Sequence, residues 1–336
     1  MRTVLASTAL LLIAFPALSQ PKWEVTNTFH IGGEGGWDYA TVDSATHRIF
    51  VTRGTHTMAI DASSGKVLGD IPGQVRSHGV ALVPASNRGF ITDGGGSGAI
   101  VIFDLKTYAV LGKIAAMPDA DGIVYDSATN RVVAVSGDGN KLMTLDPAID
   151  PTNGKMDAPI DLGGSPEFLA VDGKGKAYVN LADKDLVAVV DLHSRAVVAR
   201  WPTAPGGHPT GMAIDAAHHR IFVGARKPQN MIVMDTNDGK VLAALPIGSG
   251  VDANQFGDAQ AFASCGDGSL TVAGEHGGKF SVEQVVKTAP GARTMGLDDS
   301  THTLYLPTAE LEPATTPNGR PRPKAGTFMI VVVSRK

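Results

Sequence analysis

Apolar residues along this chain come in short runs separated by Asp, Gly, Asn and Pro, with no sustained helical period. The pattern predicts many short strands joined by tight turns. A unit recurs. An alternating small/apolar segment ends in Asp, and after a turn comes Arg-apolar-Phe-Val. A loop, an apolar strand ending in Asp, a Gly-Lys turn and a last strand complete it. The first unit reads Ala40-Thr41-Val42-Asp43, Arg48-Ile49-Phe50-Val51, Met58-Ala59-Ile60-Asp61 and Gly65-Lys66-Val67-Leu68. The fifth reads Met212-Ala213-Ile214-Asp215, Arg220-Ile221-Phe222-Val223, Ile232-Val233-Met234-Asp235 and Gly239-Lys240-Val241-Leu242.

The first anchor of the unit falls at Asp43, Pro84, Asp126, Asp172, Asp215, about Gly257 and Asp298, in steps of 41 to 46 residues. The second falls at Asp61, Asp104, Asp146, Asp191 and Asp235. A four-stranded repeat of this length is a propeller blade. Seven first anchors predict an all-β, seven-bladed β-propeller over residues 20–336 as a single domain. The seventh unit runs out of chain before its fourth strand. The segment Trp23 to Ile31, which belongs to no unit, is expected to fill that place and close the ring.

The 40 Gly and 20 Pro agree with a turn-rich fold. Residues 1–19 read as a secretory signal: Arg2, an apolar run from Leu10 to Phe15, then Ala17-Leu18-Ser19. The expected product is a periplasmic or secreted protein, monomeric and without membrane insertion. The formal charge of −4 disfavours nucleic acid as a partner. One cysteine excludes an internal disulfide framework and a cysteine-built metal site. With no CxxCH, covalent haem has no support.

Phe50-Val51-Thr52 and Tyr178-Val179-Asn180 resemble the second-strand signature of the YVTN β-propeller repeat. Gly36-Trp37-Asp38-Tyr39, Pro166-Glu167-Phe168, Gly250-Val251-Asp252 and Gly291-Ala292-Arg293-Thr294-Met295 extend the resemblance to YncE-like exported bacterial propellers. The resemblance implies fold and export; it says little about activity.

Five residues before each first anchor lies the mouth of the channel. Those positions hold Asp38, Gly79, Asp121, Glu167, Thr210, Asp252 and Arg293, with His78 beside Gly79. Four of seven are carboxylates, in a chain with 33 acids among 336 residues. Two readings stay open. The acids cap backbone N–H groups of neighbouring blades, or they form a binding mouth. In the second reading Asp38, Asp121, Glu167 and Asp252 would hold a divalent cation, Ca²⁺ or similar, with Arg293 offsetting part of the charge. His78 would add a softer ligand or a base, and His208 is placed to join it.

The expected function is therefore binding of a small molecule, metal ion or protein partner at the mouth. A metal-dependent hydrolase or lactonase using the carboxylates is the alternative. Arg226, Lys227, Arg320, Arg322 and Lys324 supply the basic loops that a nucleic-acid reading would need. Arg53, His56 and Gly94-Gly95-Gly96 are assigned to loops on the mouth face. Trp37 and Tyr39 are divided between packing and lining the mouth. His218 and His219 are expected in solvent at the opposite face. The Pro-rich stretch 308–325 is read as a loop without regular structure.

Overall fold

Each repeat unit folds as its turns require, into an antiparallel sheet of four strands, and seven such sheets form the ring. The computed structural model describes residues 22–314 and 321–336; the expected signal at 1–19 lies outside them. Blade one runs Ala40–Asp43, Arg48–Thr52, Thr57–Asp61 and Val67–Ile71, paired in that order. The Asp that ends a third strand shapes the following turn. Asp61 Oδ1 accepts the N–H groups of Ser63 and Ser64. Asp104 takes those of Lys106 and Thr107 in the same way. In blade two Pro84 replaces the first Asp, and a short 3₁₀ turn, Pro84–Ser86, takes over.

Burial follows position in the blade. The second strands are covered on both sides, so Arg131–Ser136 is buried after its first residue and reads as one apolar run. Outer strands keep one open face, and Ala196–Pro202 alternates between exposed and half-buried. The apolar clusters lie between blades. Phe50, Ile71, Val80, Ile91 and Phe103, for example, join blades one and two. At Gly239 (φ +77°) a Cβ would sit 2.2 Å from the Trp201 ring, so glycine there lets blade four's tryptophan pack on blade five's turn.

The closing strand is where the repeat count puts it. Trp23–His30 pairs with Met329–Arg335 as the outer strand of blade seven. Trp23 continues into blade six, where its ring meets Phe262 edge-on at 4.8 Å and its Nε1 donates to Gln260 at 2.7 Å. The Pro-rich stretch departs from expectation. Leu311–Glu312 and Arg322–Pro323 pair as a small hairpin, secured by Lys324 to Glu310 at 2.8 Å. Leu311 also packs against the cluster that holds Trp37. Pro317 and Arg320 lie outside the described residues.

Candidate functional site

The second strands end in small polar residues, and these fix the mouth. Thr52 Oγ1 donates to the His78 carbonyl at 2.8 Å, Thr92 Oγ1 to the Asp121 carbonyl at 2.6 Å, and Ser264 Oγ to the Arg293 carbonyl at 2.6 Å. Asn180 Nδ2 reaches the carbonyls of Thr210 and Gly211, both at 2.9 Å. In each case the acceptor is at, or next to, a mouth position of the following blade. The last residue of the Phe-Val-Thr and Tyr-Val-Asn signatures is thus a staple between blades. All these donors are fully buried, where an unmade hydrogen bond is expensive.

The mouth side chains divide into two groups. On blades one to three, His78 Nδ1 lies 2.6 Å from Asp38 Oδ2 and 3.5 Å from Asp121 Oδ1. These three residues each offer a ligand atom within 4.8 Å of the others. Asp121 Oδ1 and His78 Nε2 are buried without a hydrogen-bond partner among the described residues. Burial opposes charge on His78, but the bond to Asp38 and the charges of Asp121 and Asp38 outweigh it and raise its pKa. Burial, together with Asp38 and Glu167 and against the pull of His78, holds Asp121 well above the usual carboxylate range.

On blades five to seven, Asp252 is gripped by two guanidiniums. Arg293 Nε donates to its Oδ2 at 2.6 Å, and Arg226 Nη2 donates to its Oδ1. Asp252 is thereby committed to an ion-pair bridge and is not in the cluster with Asp38 and Asp121. Glu167, on blade four, stands between the two groups. Burial raises its pKa, Arg226 opposes the rise, and Asp252, Asp119 and Asp38 add to it.

Tyr39 underlies the ring, with its ring centroid 4.7 Å from that of Phe168. Burial first, then the charges of Asp121, Asp252, Asp38 and Glu167, push its hydroxyl well above the ordinary value. It is a neutral hydroxyl close to four acids. Below it the inner strands of all seven blades enclose a channel of about 500 Å³, walled by residues such as Val42, Leu82, Val171, Ile214, Phe256 and Leu297. The channel wall is mixed, with Thr41, Tyr125, Asn254 and Gln255 among its apolar side chains.

Other expectations resolve differently. Thr210 is buried, and its hydroxyl donates to the His208 carbonyl. His208 turns away to the Ala182 carbonyl at 3.3 Å and does not join His78. Arg53 lies in the loop after the second strand, as expected, but is not a free cation there. It is 1% exposed, donates to the carbonyls of Gly36 and Glu34, and covers the Phe328 ring at 3.6 Å. Arg226 is likewise withdrawn from any basic patch by Asp252, and Lys324 by Glu310. Gly94 does lie at the site, since a Cβ there would come within 3.0 Å of His78 Nε2. Trp37 packs in the core. His218 is largely exposed beside Asp215. Cys265 is buried, with burial pushing its thiol up to about 12.

Sequence reasoning missed the part played by Arg226. Its signal was position: it falls near the end of a second strand, the place from which the staples reach the next blade.

No protein-family model matches the chain. Over 126 residues it is 30% identical to the uncharacterized protein YncE of Escherichia coli O157:H7 and 29% identical to that of strain K12. The match covers 36% of this chain and 35% of each relative, so the chain spans about a third of the length of the curated relatives it matches. This partial likeness accompanies the seven-bladed ring. The chain fits a YncE-like propeller family. Solved structures agree on the fold alone. A chain of Kuenenia stuttgartiensis hydrazine synthase superposes on this YncE-like ring with a TM-score of 0.69 at 13% identity, covering 82% of this chain and 94% of that one. U3-55K gives a TM-score of 0.74 at 11% identity, covering 92% and 99%. Among the described residues no helix is long and apolar enough to cross a membrane.

Proposed function

We propose that this YncE-like propeller is an exported, monomeric binding protein whose channel mouth holds a divalent cation through Asp38, His78 and Asp121. The observation that carries the reading is the convergence of Asp38, His78 and Asp121, each offering a ligand atom within 4.8 Å of the others, with Asp121 Oδ1 buried and without a hydrogen bond among the described residues. Donor chemistry supports it. Two carboxylates and an imidazole suit Mn²⁺ or Zn²⁺ better than Ca²⁺, which takes six to eight oxygens. A cation would also relieve the repulsion that burial imposes on Asp38 and Asp121. Glu167, facing the same mouth without a side-chain hydrogen bond among the described residues, would orient whatever small molecule completes the coordination.

The test is thermal melting of the mature protein after chelation, then with Mn²⁺, Zn²⁺ or Ca²⁺ restored. At a cation concentration of 100 Kd the native state gains about 2.7 kcal/mol, read as a higher melting temperature. Asp121→Asn should melt cooperatively and lose that gain. An undiminished cation response in Asp121→Asn would sink the reading. Export is checked separately, by N-terminal sequencing of the mature chain, with Gln20 expected first.

A further inference from the structure

The repeat makes the blades comparable with one another, and one junction lacks a part that two others have. In blade one Arg48 Nη1 donates to the carbonyl of Leu105, on the turn between the third and fourth strands of blade two. It also reaches Tyr108 Oη of that turn at 3.3 Å. In blade two Arg88 Nη1 donates to the Pro147 carbonyl at 3.1 Å and the Ile149 carbonyl at 2.7 Å, in blade three. Leu105 and Pro147 occupy the same place, directly after the second-anchor Asp. In these two blades the second-strand arginine is thus capped by a carbonyl from the next, whereas Arg131 of blade three donates to Asn130 of its own blade.

Blade five carries the same arginine, Arg220. Blade six has no second-anchor Asp. Its strands Ser269–His276 and Lys279–Lys287 meet directly through Gly277-Gly278, so the capping turn is missing. Arg220 retains Asp235 at 3.2 Å within its own blade. Its Nε is buried without a hydrogen-bond partner among the described residues, and the nearest oxygen of Glu275 is 3.9 Å away. Where the turn would sit there is a cavity of about 390 Å³. Phe222 and Phe256 stack along it at 5.2 Å, and Phe280 stands edge-on to Phe222 at 6.2 Å.

We infer that this groove between blades five and six binds a small aromatic molecule carrying an uncharged carbonyl oxygen, its ring among Phe222, Phe256 and Phe280 and its oxygen on Arg220 Nε. The volume is in the range of small-molecule pockets. The three phenylalanines supply a stacking wall. Leu105 and Pro147 cap Nη1 of the equivalent arginines; in Arg220 that nitrogen is held by the His219 carbonyl and Asp235, and Nε is the donor without a hydrogen-bond partner among the described residues. It is uncharged because Asp235 and Glu275 already face Arg220 and Asp215 lines the same cavity, so a further carboxylate would be repelled. The site lies away from the channel mouth and is independent of the cation.

The probe is N-acetyl-tyrosinamide, which combines an aromatic ring with amide carbonyls. Binding is followed by saturation-transfer NMR against the full-length mature protein. Saturable binding in the millimolar range is expected, as for a fragment. Arg220→Ala should weaken it by about tenfold. Phe280→Leu, which keeps the strand apolar, should also weaken it and serves if Arg220→Ala fails to fold. Grafting the Asp104–Ala109 turn in place of Gly277-Gly278 should abolish binding by filling the seat. No saturable binding to the parent protein, or equal binding in folded variants, overturns the inference.

Discussion

Buried Thr, Ser and Asn at the ends of second strands connect the repeat to the site. Each replaces a backbone donor the next blade lacks and thereby sets where a mouth residue stands. Thr92 is the informative case because it holds the carbonyl of Asp121. Thr92→Val keeps the shape and removes the hydroxyl, leaving that carbonyl in an apolar junction. Chemical unfolding should show a loss of about 1–3 kcal/mol. Calorimetry should show weaker cation binding than in the parent, although Thr92 touches no ligand. Loss of stability with unchanged cation affinity would mean that the staple does not position Asp121.

At the level of strands and turns, pH separates two kinds of acid. Asp61 accepts from Ser63 and Ser64 and is lowered to about 2. Asp43 and Asp298 are also lowered, their hydrogen bonds outweighing burial. A carboxyl whose folded pKa lies below its unfolded value of about 3.9 stabilises the fold above that value, and the gain is lost as pH falls through the folded pKa. Glu167 has the opposite sign. Its raised pKa makes the fold less stable as pH climbs above the unfolded value of about 4.3 through the folded one. Melting temperature should therefore peak in mildly acid buffer and fall from pH about 4 towards about 2. Glu167→Gln should lessen only the decline above the peak, since the raised Asp121 and His78 keep their share of it.

The turns were legible because most carry their own Asp and recur. The mouth was legible as a set of positions, since counting back from an anchor finds Asp38, Asp121 and Glu167. What the count could not supply was pairing across blades. Nothing local to Arg226 says that it bridges to Asp252, or local to His208 that it turns to Ala182. The vacancy beside Arg220 appears only when the absence of an Asp turn in blade six is set against a neighbour's arginine.

For the ring as a whole, the decisive contacts join its two ends. Trp23 is 1% exposed, and Gln284 of blade six brackets its backbone at 3.0 Å and 2.6 Å. Trp23→Ala removes a large ring from a seam that three segments share. A cost of about 3–5 kcal/mol is expected, seen as an earlier but still single unfolding transition. A separate early transition confined to blade seven would show instead that the seam closes without holding the other blades.

That seam also sets an order of events. Thr26 and Ser334 touch across 308 positions of chain, so the pairing that closes the ring joins segments far apart in sequence and carries a high loop-closure cost. Until it forms, the Trp23–His30 strand has nothing in blade seven to pair with, and six blades can form while the circle stays open. A folding chain of this design then carries an unmatched sheet border. Its exposure to misassembly is greatest in that open state.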